Sequence, residues 1–390
     1  MYNVQIRPLY LTQGRLSDET NRLDVFGYNP RSELAQAIVG TNNYAYLFDP
    51  IGNREQSVEN AVTNLYTSNT LNQYTNIIFQ STQPVLSVGN FSPVFDADGN
   101  QMLIRTATGI WHVRYNGENR PICFSNDTTV VDMNYDYMGR RFFYRETINS
   151  TVTRHERHLY RGYLRIVALD MLNTNVVIHA VVWDPTESVA SRPLLLSTPS
   201  DWHTYGFDQV KNVTELFDAS EQIVATYDYA PFGAVTKFSG LTAPTNPVTF
   251  SSEVDDSVLG LIYYNWRHLN IFNGRWLNRD PIAELFLTDT IGKKEITITY
   301  MRDLLFLSLQ VVFVSNNPVL KYDFIGLAPQ QDGKTCFDLC TDKYRADRLK
   351  CTKNFLRLTC PNLIKWGICY ENARGAANEC VADCNWRIFQ

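Results

Sequence analysis

The chain has 390 residues, 44% hydrophobic and 13% aromatic with 19% charged, which excludes a disordered polypeptide. A net charge of -5 with no basic stripe excludes nucleic acid as the main partner of its body. The longest apolar run, 304–314, holds Ser308 and Gln310 and is too short to cross a bilayer. Residues 1–12 lack the basic-then-apolar layout of a secretory leader, so the chain is expected either to stay inside the cell or to be a piece of a longer one.

From the amino terminus to about residue 235, an aromatic followed by Asp or Asn and a short polar turn recurs. The clearest copies are Phe48-Asp49-Pro50-Ile51-Gly52-Asn53, Phe95-Asp96-Ala97-Asp98-Gly99-Asn100, Tyr135-Asp136-Tyr137-Met138-Gly139-Arg140 and Tyr227-Asp228-Tyr229-Ala230-Pro231-Phe232-Gly233. Weaker copies start at Tyr28-Asn29, Tyr115-Asn116 and Phe207-Asp208. The differences 48-28, 115-95, 135-115 and 227-207 are each 20 residues. An aromatic suits a strand end, Asp or Asn can bond the backbone two residues on, and Gly supplies a positive φ. Each copy therefore predicts a strand-turn-strand unit, and 109–113 and 176–183 read as strands between copies. Hairpins this thin must stack side by side, which predicts one long sheet rather than a compact sandwich.

At these residues the chain resembles the YD-repeat or RHS family, shared with bacterial Tc-toxin C components and animal teneurins. From Tyr227 the run through Asn246-Pro247, Phe250-Ser251-Ser252-Glu253, Gly260-Leu261-Ile262-Tyr263-Tyr264-Asn265 and Gly274-Arg275-Trp276-Leu277-Asn278-Arg279-Asp280-Pro281-Ile282 resembles the RHS-associated core. Asn317-Pro318-Val319 and Tyr322-Asp323-Phe324-Ile325-Gly326-Leu327 resemble its final motif. The resemblance spans roughly residues 20–330. It implies a mainly β fold, an antiparallel sheet spiralling into an incomplete shell over 1–235. It also implies a core plug over 236–330 and a variable carboxy-terminal segment over 331–390. It further implies a polymorphic-toxin or secreted-effector scaffold, in the secretions or cell envelope of a bacterium, which encloses that segment as cargo. A delivery apparatus and an immunity protein are its implied partners, and no cofactor is implied. The alternative is a cell-surface adhesion or carbohydrate-contacting protein that releases nothing.

In many relatives two core aspartates resemble an aspartic-protease pair and cut the chain once after the closing Gly-Leu. The matching positions are Asp280, Asp323 and the bond Leu327-Ala328, with Arg279 expected to orient or charge-balance the pair. Two carboxyls placed close together split their titrations, so that one holds a proton while the other activates water. The plain alternative is that both cap turns. The chain departs from the family pattern in two places: 285–314 replaces a short glycine-bearing link, and Asp323 is followed by Phe324 rather than Pro. His155 and His158 lack the spacing of a zinc-protease helix and read as a solvated strand or turn face. His112, His179, His203 and His268 read as packing or polar-edge residues, and no phosphate loop or nucleophile elbow is present.

Seven of the eight cysteines follow residue 330, and residues 331–390 carry ten basic against seven acidic residues, net +3. Their spacings of 3, 10, 8, 8, 10 and 3 are palindromic about Cys360, and 336+384, 340+380 and 351+369 each sum to 720. Helical phase agrees, since Cys336, Cys340 and Cys351 fall nearly on one face. An α-helical hairpin with nested disulfides Cys336-Cys384, Cys340-Cys380 and Cys351-Cys369 is expected, with Cys360 free at the tip. A four-thiolate zinc site competes but leaves Cys351 and Cys369 unexplained.

Overall fold

A computed structural model describes residues 7–13, 22–60, 62–81, 89–185, 192–281, 311–323 and 329–330. The predicted hairpins are present and join in strict chain order. One antiparallel sheet holds eight strands, from Arg7–Gln13 to Gly89–Phe91, and a second holds fourteen, from Val94–Phe95 to Val235–Ser239. Only Ser92 and Pro93 separate the two. A proline cannot donate a ladder hydrogen bond, which accounts for a break there. The expected strands appear as Gly109–Tyr115 and Val176–Trp183.

Because consecutive strands are antiparallel, alternate turns fall on the same end of the sheets, and the 20-residue period is two strands long. At one end most of the described turns share one construction. In the turn at Asp49, the Asp49 N–H donates to the Asn53 carbonyl (2.8 Å) and the Gly52 N–H to the Asp49 carbonyl (3.1 Å). The Asp49 side chain completes it, with Oδ1 accepting from the N–H groups of Ile51 (3.0 Å) and Asn53 (2.8 Å). Asn29, Asp96, Asn116, Asp136 and Asp208 repeat this pattern. A short carboxylate or amide satisfies two N–H groups that the tight turn would otherwise leave bare. Two further copies escaped the sequence search: Asn69, preceded by Ser68 rather than an aromatic, and Asp218, at the opposite end of the sheet.

One sequence copy is framed differently from the expectation. The turn after Tyr227-Asp228 starts at Ala230, whose N–H donates to the Ala234 carbonyl (2.7 Å), and Asp228 lies within the strand Ile223–Tyr229. Tyr229 therefore takes the motif's aromatic place, 22 rather than 20 residues after Phe207. The aromatic does more than end a strand. Tyr115, Tyr135 and Tyr229 donate their hydroxyls to the carbonyls of Gln101 (2.9 Å), Pro121 (2.7 Å) and Val213 (2.6 Å), the first residues of neighbouring strands.

The turns also bind one another. The Arg31 guanidinium donates to the Asp49 carbonyl (2.6 Å), Arg120 to Gly139 (2.6 Å) and Arg140 to Gly162 (2.8 Å). Gly139 has φ +73, and a Cβ there would sit 1.9 Å from Arg120 Nη2. Gly139→Ala is accordingly expected to cost about 1–3 kcal/mol from backbone strain and loss of this contact. A thermal melt equal to that of the parent chain would contradict it.

The core segment is a four-stranded sheet, Val254–Asp256, Leu261–Tyr264, Arg267–Asn270 and Arg275–Trp276. It lies along the row of repeat turns rather than inside one hairpin. Asn316 Nδ2 donates to the Gly52 carbonyl (2.8 Å), Asn317 Nδ2 to Ser32 (3.0 Å) and Arg275 Nη1 to Asn72 (2.8 Å). Further along, the Leu277 carbonyl accepts from the Gln101 N–H (3.0 Å), Asn278 Nδ2 donates to Asn119 (3.2 Å) and Ser252 Oγ to Lys211 (2.6 Å). Apolar packing follows the same path. Tyr264, Trp276 and Phe313 join Tyr28, Tyr46 and Phe232 in one cluster, while Leu259, Leu261 and Leu277 join Ile104, Trp111 and Phe124 in another. Of the stretch 285–314 that replaces the family's short link, the described part begins at Val311 and forms one bridge from Val312 to Arg275 and enters a 3-10 turn, Phe313–Asn316. The expected disulfide hairpin and zinc alternative, residues 331–390, lie outside the described residues.

Candidate functional site

The core hairpin Leu261–Tyr264 to Arg267–Asn270 turns through Asn265 and Trp266, pairing Tyr264 with Arg267. This register places the Arg267 guanidinium over the Trp276 ring, 4.0 Å from its centroid, where an aromatic face stabilises a cation cut off from water. Its Nη2 donates to Asp280 Oδ2 (2.9 Å) and Asp323 Oδ2 (3.1 Å). The two aspartates singled out from sequence therefore meet at one guanidinium, although 43 residues (323-280) separate them. Their Oδ2 atoms are at most 2.9+3.1 Å apart, that is 6.0 Å. All three side chains are buried, with Asp323 1% exposed.

Arg267 was not among the residues singled out, because nothing near it in sequence marks it as a partner of either carboxyl. Arg279, expected in that role, instead lies against the turn at Gly99, where an added Cβ would be 2.9 Å from its Nε. Asp323 ends the strand Tyr322–Asp323 and pairs with Pro329, the residue that follows Ala328 in sequence. The bond Leu327-Ala328 lies outside the described residues. Arg267 thus brings a permanent positive charge against both carboxylates.

A second buried ionic group ties the large sheet to the core. Arg141 Nη1 meets Asp256 Oδ2 at 2.8 Å, and the Tyr144 hydroxyl donates to Asp256 Oδ1 (3.0 Å). Beside it, His158 lies 2.9 Å from Glu156 Oε2 and 3.1 Å from the Arg141 carbonyl. His158 is thus buried on a strand rather than solvated. Burial pushes its pKa down to about 4 against the pull of Glu156. His179 is pushed down to about 3 by burial and then by Arg165. His203 and His268 are buried too, and His155 packs on the Phe143 ring at 5.0 Å. No cluster of three or more His, Cys, Asp or Glu able to hold a metal occurs among the described residues. Among them, too, no helix is long and apolar enough to cross a membrane.

No protein-family model matches the chain. It is similar to the toxin subunit YenC1 of Yersinia entomophaga, 26% identical over 319 residues, covering 73% of this chain and 29% of that one. Among solved structures it is similar to TcdB2-TccC3 (15% identical, TM-score 0.45, covering 83% of this chain and 19% of that chain). It is also similar to a Photorhabdus luminescens Tc holotoxin pore (16% identical, TM-score 0.41, covering 85% and 18%). The chain thus spans less than a third of its curated relative's length. Repeat turns, core motifs and this sequence relative agree, and the chain is an RHS/Tc-toxin-like protein.

Proposed function

We propose that this chain is part of a secreted toxin component whose RHS shell encloses and presents the segment after residue 330. One observation carries the reading: the core segment bonds turn after turn along one end of both sheets, as a closure of that end does. An assembly with a further toxin component, rather than independent action, fits the similarity to YenC1. The domain division at 235 and 330 follows the same layout, with repeat turns ending and core strands beginning between Ser239 and Val254.

Single self-cleavage at Leu327-Ala328 belongs to this proposal. Asp280 and Asp323 share Arg267, and Asp323 sits across the ladder from Pro329. One carboxyl, protonated, polarises the scissile carbonyl while the other, ionised, draws a proton from the attacking water. Intact-mass measurement on the purified chain is expected to show a break after Leu327 that Asp280→Asn abolishes. Cleavage persisting in that variant removes the carboxylate role. In the released segment, non-reducing peptide mapping is expected to find the nested pairs Cys336-Cys384, Cys340-Cys380 and Cys351-Cys369; any other partner for Cys336 contradicts them.

A further inference from the structure

The register of the large sheet separates its two faces. Tyr144 bonds the core residue Asp256 and pairs with Glu156 across the ladder, so Tyr144, Glu156 and His158 look toward the core. Arg157, Leu159 and Arg161 alternate with them and look away. From there one cross-strand row, Leu159, Val167, Ala180, Ser197 and Trp202, runs over five strands of the outward face. On the four strands from Leu164–Asp170 to Trp202–Phe207, no charged side chain alternates onto this face. Their coreward face instead carries Arg165, His179 and His203. The usual arrangement is inverted, with ionisable groups beneath and apolar ones in water. Leu159 and Val182 are each 42% exposed and Trp202 56%, and a continuous apolar strip of this kind marks a contact surface.

Charge distinguishes the two sides of the strip. On one side, Thr151–Arg161 exposes Arg157 and Arg161, neither of which forms an ion pair among the described residues. On the other, Val213–Phe217 runs into the turn that holds Asp218 and the exposed Glu221. A face that is basic, then apolar, then acidic is complementary to itself. A two-fold axis along the strands, midway between Val176–Trp183 and Pro193–Ser197, exchanges Thr151–Arg161 with Val213–Phe217. It lays the arginines of one copy over the acidic turn of the other. A two-fold across the strands would lay Arg157 against Arg157 and is disfavoured.

We infer that this outward face is the interface of a two-fold dimer of the chain, sheet packed on sheet with the strands aligned. The six strands span five spacings, about 24 Å, and five residues of each cover about 17 Å. That is a flat footprint of roughly 400 Å² per copy, below the ~800 Å² of a standard interface, so the dimer forms reversibly at micromolar concentration.

Sedimentation velocity of the full chain from about 1 to 200 µM tests the interface, and the mean mass is expected to climb toward twice that of one chain. Trp202→Lys is expected to sediment as a single chain throughout; should it not fold, Val182→Lys is expected to do the same. Arg157→Glu and Glu221→Lys are each expected to weaken association about tenfold, and the two together to restore most of it, because the opposite charges meet again across the two-fold. Glu221→Lys suits the turn, since Lys211 already holds the same left-handed position two strands earlier. A chain that stays single at every concentration overturns the dimer and leaves the face to a different polypeptide. A dimer indifferent to Trp202→Lys, or a charge-swapped pair no better than either single change, overturns it as well.

Discussion

Replacing Arg141 with Met is expected to lower stability by about 3–5 kcal/mol, because it strands a buried carboxylate. The Arg141–Asp256 pair is almost fully enclosed, with side-chain exposures of 2% and 1%. The guanidinium also lies 4.2 Å from the Tyr263 ring centroid, so the pair joins the repeat wall to the core sheet by both charge and stacking. A paired replacement, Arg141→Met with Asp256→Asn, is expected to recover a large part of the loss by removing the stranded charge. Urea midpoints of the two single variants and the double would measure this coupling. A single-variant loss below about 1 kcal/mol would place the pair with solvent-screened surface bridges instead.

Arg267→Met is expected to have an effect of similar size, about 3–5 kcal/mol, since it takes the cation away from two enclosed carboxylates at once. It also uncovers the Trp276 face on which the guanidinium lies. The loss is expected to shrink when Asp323→Asn is added, and to shrink further at low pH, where protonation does the same work as the amide. If the urea midpoint of Arg267→Met is unchanged, or if Asp323→Asn deepens the loss, the charge account fails. Intact mass on the same samples is informative: a chain still folded but uncut would show that the cation positions the carboxyl pair as well as stabilising it.

Much of the architecture was legible because each turn is local. An aromatic, an Asx residue and a positive-φ position four residues apart suffice to specify a hairpin, and the period shows that hairpins follow in tandem. Glycine was the weaker clue. Ser32, Asn72, Asn119, Lys211 and Glu221 hold φ between +57 and +66 at the same turn position as Gly52 and Gly139, because the Asx bonds leave the chain little choice. The copy at Tyr227 misled for the same reason: its aromatic-Asp pair matched, but the Asx bonds belong to no residue there. Asp280 and Asp323 were found by motif. Arg267 was not, since its role depends on a hairpin register and on a ring contributed by Trp276. Burial of His158 was likewise invisible, because a charged-looking His-Glu-Arg-His run gives no sign that alternate residues face opposite sides of a sheet.

The reach of the core segment bears on how the chain is made. Asn316 and Asn317 complete bonds to Glu33 and Ser32, 283 and 285 residues earlier. At ribosomal speeds of about 5–20 residues per second, the first hairpins wait on the order of 14–60 s for the stretch that clasps them. During that interval the aromatic faces of the opening strands have no cover from their own carboxy-terminal partner. Nascent chains stalled before residue 311 should therefore engage chaperones far more heavily than chains released past residue 323.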